Sequence, residues 1–275
     1  MVIYDNVSAM RTASNLNQTT SALQTSLERL STGLRINKAA DDAAGMAITS
    51  MMGNVVDGMN QASINIQNGV NAIQTADSAA SQINTILGRM QTLANEAANT
   101  TLTTSDRADV QKEVTQLISD INGIASSTKF NGVNLLTGAF GAATSGMKVQ
   151  YGAYSANVYS VKVSALGATS IGVNAVCVTQ VGVANTAITT IQKAVSALAI
   201  TRANLGAYQN GLQYLSNNLQ TSLQNLTASE STIQDTDVAA EMANYTKLQI
   251  LQQSGTAMLT QANSLPQAAL TLIKG

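Results

Sequence analysis

Nucleophilic and acid–base catalysis need a side chain that changes protonation near neutral pH, and this sequence supplies almost none. It has no His and one Cys, Cys177, so neither a Ser-His-Asp triad nor a Cys-His pair can form within it. The adjacent carboxylates Asp41-Asp42 come nearest to a metal-binding pair, but no other ligand cluster has metal spacing. They read better as acids that cap or solvate a turn between two helices, with Gly33 and Gly45 as its breakers. One Cys cannot close an intramolecular disulfide, and Cys177 reads as a small buried apolar residue. Asn99-Thr100-Thr101 matches a glycosylation triplet that arises often by chance. No catalytic residue, metal site or cofactor is expected.

With site chemistry set aside, the elements themselves come forward. The chain has 275 residues, a net charge of -1 and 45% hydrophobic residues, but only 3% aromatic and 11% charged ones. That length holds one large domain or two. Ala fills much of the apolar quota, while Asn, Gln, Ser and Thr supply the polarity, a mixture suited to long helices packed closely together. Near-zero charge argues against a nucleic-acid partner. No apolar run of about 18 residues occurs, so no membrane insertion is expected. Met1 to Asn6 lack a basic segment leading into an apolar one; export would need a route without a cleaved signal.

Hydrophobic spacing is the strongest signal. Met59, Ala62, Ile66, Gly69, Ile73, Ala76, Ala80, Ile83, Leu87, Met90, Ala94 and Ala97 follow one another in steps of three and four, a coiled-coil seam. A second seam runs through Ala9, Ala13, Leu16, Thr20, Leu23, Leu27, Leu30 and Leu34, and a third through Leu248, Leu251, Gly255, Met258, Ala262 and Leu265. Ile191, Leu198, Leu205, Leu212, Leu219 and Leu226 mark a fourth long helix. A shorter helix follows Ser105 as N-cap, with Val110, Val114, Leu117, Ile121 and Ile124 as its stripe. Between 138 and 183 the period changes: 147–151 and 158–163 alternate as a β-hairpin, followed by a Gly-, Val- and Ala-rich connector. The expected fold is mainly α, a long antiparallel coiled-coil or helical-bundle rod with a small β-hairpin insert at its far tip and paired termini.

Terminal seams diluted with Ala and Thr make weak cores, and they gain stability when neighbouring copies cover them. A head-to-tail contact that does not close yields an open fibre. Periodicity alone fits equally well an antiparallel four-helix bundle whose seams satisfy one another.

Particular residues separate these readings. Arg29-Leu30-Ser31-Thr32-Gly33-Leu34-Arg35-Ile36-Asn37-Lys38-Ala39-Ala40-Asp41-Asp42-Ala43-Ala44-Gly45-Met46-Ala47-Ile48 resembles an amino-terminal segment of bacterial flagellin. Lys129 to Leu136, Arg202 to Asn210 and Ser229 to Asp237 resemble further stretches of that family. Only the β insert lies outside the resemblance. It implies a structural subunit that polymerises into the flagellar filament for motility, exported by the flagellar type III apparatus and located outside the cell. A hook–filament junction protein and a surface adhesin are the alternatives.

The resemblance further implies that residues 1–38 and 237–275 form inner filament-core helices and 39–236 an outer-core rod domain. The assembly seams would be Leu16, Leu23, Leu27, Leu30, Leu34, Leu248, Leu251, Met258 and Leu265. Implied partners are copies of the chain, an export chaperone, the filament cap and hook-junction proteins. Arg89, Leu93 and Glu113 match positions through which many family members contact an animal Toll-like receptor, although Gly88 stands where receptor-binding relatives usually have Gln. Residues 28–48 also resemble the stretch that plant receptors detect. Thr144, Ser145, Ser155, Ser160, Ser164, Thr169 and Ser170 are the insert's candidate O-glycosylation acceptors.

Overall fold

The computed structural model describes residues 6–140 and 146–274, with side chains through residue 264. The fold is mainly α: α1 (Val7–Thr32), α2 (Ala43–Ala97), α3 (Thr104–Ser127), α4 (Val181–Gln234) and α5 (Val238–Lys274). Among the described residues, four short strands form two antiparallel pairs, β1 (Lys129–Phe130) with β2 (Val133–Asn134) and β3 (Met147–Gln150) with β4 (Val158–Val161). The chain divides into a terminal unit, residues 1–54 and 225–275, and a middle unit, residues 55–224.

The middle unit carries the core. Every residue of the α2 seam from Ala62 to Ala97 is buried, and Met59 is half-buried. Val114, Ile121 and Ala125 of α3 join it, as do Ile191, Leu198, Leu205, Leu212 and Leu219 of α4, seven residues apart. Side chains at this spacing share one helix face, so a sustained repeat converts directly into a continuous buried stripe. α3 begins two residues earlier than Ser105 would place it. Thr103 is the N-cap: its hydroxyl accepts from the Asp106 N–H at 3.3 Å, while the Thr103 N–H donates to Asp106 Oδ2 at 2.9 Å. That reciprocal box requires an acid three residues after the cap, which Thr103 has and Ser105 lacks.

The β region differs from a hairpin held at a far tip. Val149 and Val161 are buried, and β3–β4 lies along the middle unit's helices. A Cβ at Gly69 of α2 would sit 2.9 Å from a Val149 methyl, and one at Gly58 would sit 2.8 Å from the Ala153 Cβ. On α4, Gly211 leaves room for the Tyr159 hydroxyl, and the Tyr159 ring meets Tyr208 edge-on at 6.2 Å. The connector is also a core element, with Val163, Leu166, Ala168, Val173, Val176 and Val178 all buried. β1–β2 is a further hairpin. Its Asn131-Gly132 loop has φ of 48° and 79°, the positive pair that this dipeptide favours in two-residue turns.

Leu87 is fully enclosed in this core. Leu87→Ala is expected to cost about 2–5 kcal/mol and to lower the middle unit's melting temperature by roughly 4–20 °C. Thermal unfolding followed by circular dichroism measures this; an unshifted melt would contradict the placement of the α2 seam.

Candidate functional site: the paired terminal helices

In the terminal unit, α1 and α5 run antiparallel. The Asn6 side-chain amide donates to the Ala262 carbonyl at 2.8 Å at one end, and the Ser26 hydroxyl donates to Glu241 Oε1 towards the other. Asn6 also caps α1, its Oδ1 accepting from Ala9 N–H at 3.1 Å. Asp237 caps α5 through the N–H groups of Ala239 and Ala240. Midway, a Cβ at Gly255 would lie 3.2 Å from a Leu16 methyl, so glycine there permits the close approach.

The junction after α1 is held by its backbone. Gly33 adopts φ 75° as the C-cap and donates to the Arg29 carbonyl. Thr236 N–H donates to the Gly33 carbonyl at 2.9 Å, and Arg35 N–H to the Gln234 carbonyl at 2.6 Å. Asp41 and Asp42 serve this turn. Asp41 Oδ2 accepts from the N–H groups of Asn37 and Lys38 at 3.1 and 3.0 Å; these bonds, the Lys38 one foremost, hold its carboxyl below the usual carboxylate range. Asp42 Oδ1 accepts from Gly45 N–H at 2.9 Å, starting α2. Gly45 is therefore helical, not a breaker. Its missing Cβ makes room for the capping carboxylate and for Ile36, which would otherwise approach within 2.6 Å.

What this unit lacks is a core. Among the described residues, its only buried hydrophobics are Ile36 and Ala262. Val7, Met10, Leu27, Ile48, Met51, Val238, Met242, Ile250, Leu251 and Met258 are all exposed, Met10 by 65%. Of the expected seam residues, Leu16, Leu23, Leu30, Leu34 and Leu248 are half-buried. Leu27 is 55% exposed because Ser26 takes the place beside α5. Leu251 and Met258 are likewise exposed, since the half-buried face of α5 runs through Tyr245, Leu248, Gln252, Gly255 and Leu259 to Ala262. The side chain of Leu265 lies outside the described residues.

Many hydroxyls of this surface are already satisfied. Thr12, Thr19, Thr20, Ser21, Thr25 and Thr32 each donate their hydroxyl to a carbonyl four residues back in α1. Thr246 and Thr260 do the same in α5. Another surface can cover such hydroxyls without orphaning a donor. Charges, which are costly to desolvate, are confined in α1 to Arg11, Glu28 and Arg29.

Other expected residues lie in the middle unit. Arg89 and Glu113 form a two-pronged ion pair of 2.7 and 3.1 Å. The shared hydrogen bond pushes the Arg89 guanidinium up and the Glu113 carboxyl down. Both side chains are about half exposed, whereas Leu93 is buried at 2%. Ser155, Ser160, Ser164, Thr169 and Ser170 are exposed; Thr144 and Ser145 lie outside the described residues. Cys177 is half-buried rather than enclosed, and a hydrogen bond with the Thr179 hydroxyl at 3.2 Å pulls its thiol pKa down. Arg107 is a structural residue with no sequence signal. Nearly buried, it donates from Nε and a terminal nitrogen to the carbonyls of Ala97 and Asn99, closing the end of α2. Among the described residues, no three His, Cys, Asp or Glu side chains converge on a metal position, and no helix is long and apolar enough to cross a membrane.

Long paired terminal helices with satisfied hydroxyls and outward apolar side chains define a class of helical structural protein. The chain belongs to the bacterial flagellin family: the family model for the bacterial flagellin N-terminal helical region matches residues 3–140, and that for the C-terminal helical region matches residues 188–273. It is 40% identical to the 33 kDa flagellar filament core protein of Treponema phagedenis and 38% identical to the flagellin of Bacillus subtilis, each alignment covering the whole of both chains. The solved Bacillus cereus flagellin superposes with a TM-score of 0.50 at 29% identity, over 61% of this chain and 94% of that one.

Asp41 generates a pH prediction. A depressed folded-state pKa contributes stability that is complete above the unfolded value, about 3.9, and is lost as pH falls through the lower folded value. Amide protons of Asn37 and Lys38 should stay protected from exchange down to about pH 4 and lose protection below it. In Asp41→Asn the acid-dependent loss should be much smaller; an unchanged profile would assign it to another group.

Proposed function

We propose that this chain is the structural subunit of a bacterial flagellar filament, and that α1 and α5 complete their burial on neighbouring copies. One observation carries the reading: the terminal unit leaves Met10, Leu27, Ile250, Leu251 and Met258 exposed, while Ile36 and Ala262 are its only buried hydrophobics among the described residues. A Leu, Ile, Val or Met side chain gains about 1.5–3 kcal/mol on full burial, so contacts that cover several of them stabilise a polymer strongly. Family membership and filament core relatives of full length support the reading.

In this proposal residues 1–38 and 237–275 line the inner filament core, and residues 39–236 form the outer-core domain with the 138–183 insert. The chain acts structurally, without catalysis, at the flagellum outside the cell, after export through the type III apparatus. An export chaperone, the filament cap and hook-junction proteins are its further partners. Arg89 and Glu113 offer an animal Toll-like receptor a half-exposed polar pair, whereas Leu93 is buried. The exposed hydroxyls of Ser155, Ser160, Ser164, Thr169 and Ser170 are the accessible acceptors for O-glycosylation.

Raising the concentration of purified protein should produce fibres and deepen the helical circular dichroism signal as the terminal unit orders. Truncation after Asp237 should abolish fibres while the middle unit keeps its melting transition. Normal fibres from that truncation would overturn the proposal.

A further inference from the structure

Charge in this chain is segregated along the sequence. Between Asp120 and Glu230 there is no acidic residue at all, while Lys129, Lys148, Lys162, Lys193 and Arg202 lie in that interval. Arg202 is matched, pairing with Asp77 at 2.8 Å. The four lysines are exposed, and no ion pair forms on any of them among the described residues.

The register of β3–β4 concentrates two of them. Lys148 stands opposite Ser160, and with Val149 and Val161 turned into the core, Lys148, Ser160 and Lys162 share the outward face. Diagonal neighbours on such a pair are about 7–8 Å apart. This face has an apolar rim in Val158, 36% exposed, and Tyr154, 63% exposed.

The complementary surface is on α3. Asp106, Asp109, Glu113 and Asp120 are all exposed. Among the described residues, Arg89 pairs with Glu113 and Lys112 with Asp109, while Arg107 donates to backbone carbonyls, so the acids outnumber the cations that pair with them. Asp120 accepts from the side-chain amide of Gln116 at 2.9 Å. None of the four ion pairs among the described residues joins the hairpin lysines to these acids. Among the described residues, Glu113 and Asp109 are thus paired within the molecule, while Asp120, the capping Asp106 and the two hairpin lysines have no ion-pair partner.

We infer that the outward face of the β3–β4 hairpin is an electrostatic docking surface for the acidic face of α3 on a second copy of the chain. Two unlike patches on one molecule make a heterologous contact, which propagates instead of closing when its rotation does not return to the start. Opposed charge fixes register and steers encounter while contributing less affinity than apolar contact. This division of labour suits a polymer whose terminal helices provide apolar area. The inference rests on the filament reading and adds a specific contact to it.

The test compares the full chain with Lys148→Glu/Lys162→Glu, with the neutral Lys148→Gln/Lys162→Gln, and with a charge-swapped chain that adds Asp109→Lys/Asp120→Lys to the first pair. Critical concentration for polymerisation is measured by sedimentation, with middle-unit melting as the fold control. The reversed pair should raise the critical concentration by about tenfold, the neutral pair should raise it less, and the charge-swapped chain should return towards wild type. An unchanged critical concentration in both hairpin variants would overturn the contact while leaving the filament reading intact. Failure of the charge-swapped chain to recover would overturn α3 as the docking face. Lysine-dependent binding to phosphatidylserine vesicles with polymerisation unchanged would assign the patch to a membrane surface and also overturn it. If the wild-type chain forms no polymer at any concentration, the filament reading fails first.

Discussion

A helix can hide an apolar stripe only against something at least as wide as that stripe. Among the described residues, α1 and α5 pack chiefly on each other, and the stripes extend beyond the interface they share. Ser26, Gly255 and Ala262 bring the two helices close, but small residues bury little area. Leu27, Ile250, Leu251 and Met258 are left outside. The middle unit shows the opposite outcome, because its helices have several neighbours each and the β region and connector fill the remaining space.

The surface chemistry of the terminal helices follows from that constraint. A surface that a second surface can cover at little cost carries few charges and does not strand hydrogen-bond donors. Threonine and serine meet both conditions, since the hydroxyl returns to the helix's own carbonyl and leaves a methyl or methylene outward. The same chemistry explains the composition: little charge and abundant Ser, Thr, Asn and Gln. Each hydroxyl bond is modest by itself. Its contribution is to remove the penalty that a polar surface otherwise brings to a packed interface.

In the middle unit, glycines matter through proximity. Gly58, Gly69 and Gly211 stand where Ala153, Val149 and Tyr159 come down onto helices. A hairpin seated this way has one face committed to packing, so its lysines have only the outward face available. Local packing thereby turns a bias in sequence composition into a charged surface with a direction.

By itself the sequence determined the helices, the core stripe and the family. A heptad repeat of Ala, Ile and Leu in α2 and α4 has one efficient way to be buried, and the long match at Arg29–Ile48 is specific. The seating of the hairpin depends on glycines far away in sequence, which no local pattern reports. The Asn131-Gly132 dipeptide carries a turn signal, yet β1–β2 is not among the expected elements; the Arg107 staple has no such signal, because an Arg in a first helical turn usually points to solvent. The terminal seams illustrate the boundary best. Spacing alone placed Leu27, Leu251 and Met258 beside Leu16 and Leu248 as equivalents. Only the pairing of α1 with α5 decided which side chains face inward, since an amphipathic stripe wider than its partner admits more than one choice of contact line.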